Sequence, residues 1–305
     1  MNPEKKRQAK IIAITIIITV ILTLVVVVIV ISMGLLRFVD KTIATISSTA
    51  LKDCEAYQPI IRGKVFVDSK YNRELASCLL DIGSIASTAF CKQTTPLPPP
   101  FTAFKRLYGY DRKGVKNLYG IVYWSDISEM AVISFAGTYN ESQWYSNLRV
   151  KQIATTNLTR SPVGAMVHSG FYDIYTSIRD QIWDWWYNQC IFRVKTLFMT
   201  GRSLGGALST ICAYDMHNLI GVQIIHYSFA SPRVGNIVFA DEFNRRIACS
   251  FRTYNTEDII TNLPGAIMRG ANFKHVGLTS HNRPFTKHLG AIYSNHVDAY
   301  EELFS

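Results

Sequence analysis

The sequence has no Cys-x-x-Cys pair, no histidines spaced with its cysteines as zinc ligands require, and no internal repeat. A structural metal centre and a repeat array are therefore not implied. The six cysteines, Cys54, Cys78, Cys91, Cys190, Cys212 and Cys249, are dispersed, and Cys212 lies in an apolar helical stretch that suits a buried thiol. Acidic residues are scarce: 22 Asp and Glu face 32 Lys and Arg, a formal charge of +10. The cations are scattered, clustering only at Lys5, Lys6, Arg7 and Lys10, so no nucleic-acid partner follows, and the basicity suits an anionic membrane surface.

The most telling absence is of charge between Ile11 and Ile31, an apolar run relieved only by Ala13, Thr15, Thr19 and Thr23. Its 21 positions, as a helix, reach about 31 Å, the hydrocarbon thickness of a bilayer. A cleaved signal peptide is the alternative, but such a core is usually about 7–15 residues long and is followed closely by a small-residue cleavage site, which is missing here. The sequence thus predicts a basic cytoplasmic tail over 1–10, a single transmembrane signal-anchor helix over 11–31 and a stalk over 32–69. Lys5, Lys6, Arg7 and Lys10 outweigh Arg37 and Lys41 on the far flank, which keeps the N-terminus cytoplasmic and the remaining chain lumenal or extracellular. With that topology, Asn140-Glu141-Ser142 and Asn157-Leu158-Thr159 are glycosylation sequons, and some cysteines are free to form disulfides.

Residues 70–305 carry the patterning of one α/β domain. Leu75, Leu79, Ile82, Ile85 and Ala89 mark an amphipathic helix from Asn72 to Phe90, closed by Pro96-Leu97-Pro98-Pro99-Pro100. Short β-branched and aromatic runs follow at Tyr119–Trp124, Met130–Phe135, Val194–Met199, Gln223–Phe229 and Phe251–Tyr254, most separated by helical stretches. That alternation predicts a mostly parallel sheet covered on both faces, with the first two runs forming an antiparallel hairpin at its edge. A helix over about 174–189 carries Ile174, Ile178, Ile182, Trp185 and Trp186 on one face; core packing is the reading adopted, a membrane-interface face the alternative.

Chemistry concentrates at Gly201-Arg202-Ser203-Leu204-Gly205, which joins the strand ending at Thr200 to a helix over Leu204–His217. A strand entering a helix through one residue strains that residue, and flanking glycines let neighbouring backbones approach. The Ser203 hydroxyl is then exposed above the sheet, and the Leu204 amide, opening the helix, faces the place where an oxyanion would form. A serine nucleophile needs a base and an acid, which on this architecture follow it in the order acid, histidine. Asp258 lies just past a strand, with Glu257 as its neighbouring rival. Among the later histidines, His281 sits in a polar turn, His288 precedes a glycine, and His296 opens an apparent terminal helix. Position alone leaves all three in contention.

Across about residues 70–303 the chain resembles the class 3 lipases, the fungal lipase-like α/β-hydrolases. The resemblance rests on Ile133-Ser134-Phe135-Ala136-Gly137-Thr138, Val167-His168-Ser169-Gly170-Phe171, Ser203 with its flanks, Ala230-Ser231-Pro232-Arg233-Val234-Gly235-Asn236, Asp258 to Pro264, Phe273-Lys274-His275-Val276-Gly277, and Asn295 to Tyr300. It implies Ser203 as nucleophile, Asp258 as acid, His296 as base, and Thr138 as an oxyanion donor beside Leu204, with His168 and His275 structural. It also implies a lid over Tyr139–Val150, in which Trp144 and Leu148 are the apolar positions. Arg202 stands where the family usually has His, and Ala136 where Arg is frequent. The expected activity is hydrolysis of lipid carboxylic esters through an acyl-enzyme, with no metal or organic cofactor. Acylglycerol and A1-type phospholipid substrates both remain open, and the contrasting reading is a catalytically silent membrane module.

Overall fold

The computed structural model describes residues 60–61, 64–65, 71–92, 98, 100–111, 114–125, 129–137, 151–191, 193–268, 271–277, 279–283 and 295–302. The basic tail, the anchor at 11–31, nearly all of the stalk, Thr138 and the lid positions Trp144 and Leu148 lie outside the described residues. Among those described, no helix is long and apolar enough to cross a membrane. All of them fall within one compact unit, Thr49–Ser305.

Two short strands, β1 (Ile60–Ile61) and β2 (Lys64–Val65), pair antiparallel inside the stretch read as stalk. Helix α1 spans Arg73–Lys92, opened by the Asn72 side chain, which accepts from the Leu75 amide. Then come β3 (Ala103–Tyr110), β4 (Lys116–Ser125), β5 (Met130–Phe135), β6 (Gln152–Ala154) and β7 (Met166–His168). Helix α2 (Ser169–Trp185) ends in a π-turn at Trp186–Cys190, and β8 (Thr196–Arg202) leads into α3 (Leu204–Ile220). The chain continues through β9 (Gln223–Phe229), α4 (Ile237–Arg246), β10 (Cys249–Asn255), β11 (Ile267–Met268), β12 (Ala271–Asn272), β13 (Thr279–Arg283) and α5 (Asp298–Glu302).

Seven strands form the main sheet in the order β13-β10-β9-β8-β5-β4-β3. The five from β13 to β5 are parallel, while β4 and β3 are antiparallel additions. Every residue of β5 is buried, as expected of a strand covered on both faces. Helix α1 packs Leu75, Leu79, Ile82 and Ala86 on one face against Ile121, Val132, Phe198 and Tyr227. The other face receives α2, α3 and α4, and α3, apolar nearly all round, is the buried helix of that layer. Trp185 and Trp186 are fully buried, so the aromatic face of α2 belongs to the core rather than to an interface.

Three expectations need correction. The hairpin β4–β5 does not form the edge, because β3 lies outside it. That strand carries Lys105-Arg106 and Gly109, and an edge strand, half-buried and paired on one side, tolerates such charges. Its outer amides are not left open: Tyr108 N–H donates to Gln181 Oε1 (3.2 Å) and Tyr110 N–H to Ser177 Oγ (3.1 Å), both from α2. Gly109 permits this approach, since a Cβ there would lie 2.3 Å from Ser177 Oγ. His281 does not sit in a turn but in β13, paired in register with Thr253. The helix read as 174–189 starts at Ser169, where the His168 side chain caps it by accepting from the Gly170 amide.

Candidate active site

Ser203 joins β8 to α3 with φ 57° and ψ −122°, a conformation costly for any residue with a side chain, and contrary to the expected exposure it is buried. Its amide donates to Phe229 O on β9 (2.9 Å), and its carbonyl accepts from Gly206 (3.0 Å), so both sides of the turn are fixed. The glycines are demanded by contact: a Cβ on Gly201 would lie 2.3 Å from the Gly205 carbonyl, and one on Gly205 would lie 2.2 Å from Phe135 O. Helix α3 therefore begins pressed against the ends of β8 and β5. Leu204 is its first residue, within the turn whose N–H groups have no intrahelical acceptor and carry the positive end of the dipole.

Beyond β5, Ala136 and Gly137 run alongside this turn; a Cβ on Gly137 would sit 3.3 Å from Arg202 O. The Gly137 amide donates to Ser87 Oγ (3.2 Å), and that hydroxyl donates to Gly83 O (3.1 Å), so α1 fixes the strand end that leads to Thr138. Ala136 is buried and Arg202 half-buried.

Two strands away, Asp258 follows β10 at the same end of the sheet. Its carboxylate is fully buried and accepts from His296 Nδ1 (2.7 Å), from Tyr300 Oη (3.0 Å) and, through Oδ1, from the Ile260 amide (3.0 Å). The rival Glu257 is exposed. Because a carboxylate only accepts, the His296 proton resides on Nδ1 and Nε2 is left as the basic nitrogen. The structure thus joins Asp258 with His296 and sets Ser203 at the same sheet end, the edge where open α/β sheets bind ligands.

Tyr300 was not singled out as a site residue by the sequence, although its spacing of four from His296 on a terminal helix is a signal. Its hydroxyl accepts from the Asn255 amide (2.8 Å) while donating to Asp258. Burial, and then the Asp258 charge, hold its ionisation well above the usual phenol range, so it remains a donor. A second support comes from cations. Arg233 donates its amide to Leu263 O (2.8 Å) and Nη1 to Pro264 O (2.8 Å) and Asn262 O. Arg252, stacked 4.0 Å over Tyr254, donates to His275 Nε2 (3.2 Å), and His275 bonds the Thr261 backbone. Burial, then the Arg252 and Arg233 charges, push His275 down to about 2, so it is a neutral link. His168, its ring tilted against Phe171 with centroids 4.4 Å apart, stands apart as a helix cap.

Comparison with known proteins shows what the domain is similar to. Residues 132–268 match the family model described as Lipase (class 3). The Arabidopsis thaliana chloroplastic phospholipase A(1) DAD1 is 31% identical over 176 residues, covering 50% of this chain and 38% of that protein. The Rhizomucor miehei lipase is 28% identical over 160 residues, covering 50% of this chain and 41% of its own length. A solved structure of the Rhizomucor miehei triacylglyceride lipase superposes with a TM-score of 0.56 at 21% identity, over 70% of this chain and 81% of that one, a likeness of fold. The chain spans between 38% and 58% of the length of the first three curated relatives it matches. The segment 132–268 is thus similar to the class 3 lipases in sequence, and the described domain is similar to a fungal lipase in fold.

Proposed function

Starting from that similarity, we propose that the chain is a membrane-anchored serine ester hydrolase acting on lipid esters. The observation that carries the proposal is the buried 2.7 Å His296–Asp258 bond at the sheet end where Ser203 is held in its strained turn. In the proposed mechanism, Ser203 Oγ attacks the ester carbonyl while His296 Nε2 takes its proton, and Asp258 stabilises the imidazolium. The oxyanion is received by the Leu204 amide and by Thr138. Collapse breaks the C–O bond, the alcohol leaves with the proton from His296, and an acyl-Ser203 ester remains. Water, deprotonated by His296, then attacks that ester and releases the acid and Ser203. Each oxyanion donor is worth about 3–4 kcal/mol of barrier.

Two relatives suggest the substrate classes: one is named a phospholipase A(1), another a lipase. Acylglycerol hydrolysis is the leading reading and A1-type phospholipid cleavage the second. The amphipathic segment with Trp144 and Leu148 is proposed as the lid over the site. The anchor at 11–31 is proposed to hold the domain on the lumenal or extracellular side. Support for that side comes from Cys249, which is disulfide-bonded, since such bonds persist in oxidising compartments.

The test is fluorophosphonate labelling of the full chain, with hydrolysis of triacylglycerol, diacylglycerol and phosphatidylcholine measured beside it. Wild type is expected to label and hydrolyse, and Ser203→Ala to do neither. Equal labelling of the two would leave the silent binding module as the reading.

A further inference from the structure

We infer that Asn157 is an N-glycosylation site, its side-chain amide carrying an oligosaccharide in the mature protein. The inference rests on the lumenal or extracellular placement proposed above and adds to it a modified residue and a point of attachment. Asn157-Leu158-Thr159 supplies the acceptor pattern. The turn that presents it, between β6 and β7, is held by a buried charge network that the catalytic proposal does not use.

Leu158 is buried in the core beneath the turn. The Thr159 amide and hydroxyl both donate to Asp215 Oδ1, at 2.8 and 3.0 Å. Asp215, fully buried on α3, also accepts from Tyr175 Oη (2.7 Å) and from Arg179 Nε (2.6 Å). From the other side, Arg246 of α4 donates to Thr159 O (3.0 Å) and to Arg160 O. Positions two and three of the pattern are therefore locked inward, while Asn157 is exposed, its amide bonding the Tyr172 hydroxyl at the rim. An oligosaccharide on Nδ2 would extend into solvent and displace no core group, and the remaining N–H would still be available to Tyr172.

The same geometry orders the events. The Thr159 hydroxyl, which the pattern requires, is committed to Asp215 once the domain has folded. Transfer must therefore precede folding, on the extended chain as it enters the lumen. There Nδ2 of Asn157 attacks C1 of a lipid-linked oligosaccharide: the C1–O bond breaks, the N–C1 bond forms, the lipid pyrophosphate leaves, and one amide proton is released. The Cys249 disulfide suits the same oxidising compartment, so the cysteine on β10 and the proposed modification beside β7 are compatible with one location.

The full chain, expressed in a glycosylating eukaryotic cell, supplies the test. Intact microsomes are treated with protease, and the peptide containing residue 157 is then read by mass spectrometry after peptide N-glycosidase, which converts an occupied Asn to Asp. The expected result is a protected domain with Asn157 converted, one glycan fewer in Asn157→Gln, and full occupancy in Thr159→Ser. The second sequon, at Asn140, does not interfere, because the readout is the single peptide. A protected domain with unconverted Asn157 overturns the site and leaves the topology standing. A domain digested without detergent overturns the topology, and the site with it.

Discussion

Tyr300→Phe removes one oxygen and keeps the ring, so its consequences can be worked from two contacts. The hydroxyl donates to the Asp258 carboxylate at 3.0 Å and accepts from the Asn255 amide at 2.8 Å, and Tyr300 is fully buried. A hydrogen bond to a charged acceptor is worth about 1.5–3 kcal/mol, and a buried amide left without its acceptor costs about 1–3 kcal/mol. The loss should total about 3–5 kcal/mol, which for a domain of this size lowers the melting temperature on the order of 10 °C. Catalysis should suffer less. Asp258 keeps its bonds from His296 and Ile260, so kcat is expected to fall on the order of tenfold, far short of the ~10⁴ loss that amidation of the triad acid brings. KM should hold, because the hydroxyl is engaged by Asp258 and the Asn255 amide rather than by substrate. Calorimetry and steady-state hydrolysis of a soluble short-chain ester measure both quantities. Unchanged melting and unchanged kcat would refute the placement of this hydroxyl, and a raised KM at constant kcat would make Tyr300 part of the binding surface.

Three further perturbations test the supports. In His275→Asn the side chain can still accept from Arg252 and donate to Thr261, whereas His275→Leu can do neither; kcat per fluorophosphonate-titrated site should stay within about twofold in the first and drop about tenfold in the second, as small displacements of catalytic groups do. Ser87→Ala deprives the Gly137 amide of its acceptor and should cost about 1–3 kcal/mol of stability while lowering kcat with KM unchanged, read by urea unfolding and kinetics. Acid should destabilise the fold through two imidazoles, His226 buried and His275 half-buried. Burial holds His226 down to about 3, and burial with the Arg252 and Arg233 charges holds His275 down to about 2, so below the ordinary value of 6.5 the unfolded chain takes up protons that the folded one refuses. Stability is then complete above about pH 6.5 and falls by about 2 kcal/mol per histidine by pH 5. Urea midpoints at pH 7.5 and 5 measure the loss, and His226→Gln should remove about half of it; an unchanged slope in that variant would contradict the assignment.

The parts of this molecule legible in the sequence are those whose demands are local. Gly201 and Gly205 stand where side chains would strike backbone, and a fully buried strand such as Met130–Phe135 is apolar throughout. Edges were not legible. Thr279-Ser280-His281-Asn282-Arg283 contains no apolar residue, yet it is a strand, because β10 supplies its whole pairing surface along one side. The strand Ala103–Tyr110 escaped notice for a related reason: it is half-buried, and its charges stay at the rim, with Lys105 paired to Asp184.

Choosing between Asp258 and Glu257 required a different kind of information. Both follow the same strand, and either could be an acid on spacing; what separates them is that one carboxylate is fully buried and the other exposed. Burial of a carboxylate is tolerable only where donors converge on it. The donors around Asp258 come from its own turn, from residue 296 and from residue 300, so no window of sequence contains them all. The same is true of Ser87 and Gly137, 50 positions apart. An elbow can be recognised from five residues because backbone sterics define it. The hydrogen bonds that aim its partners join residues distant in the chain, and only the folded sheet, by bringing the ends of β5, β8 and β10 to one edge, makes them visible.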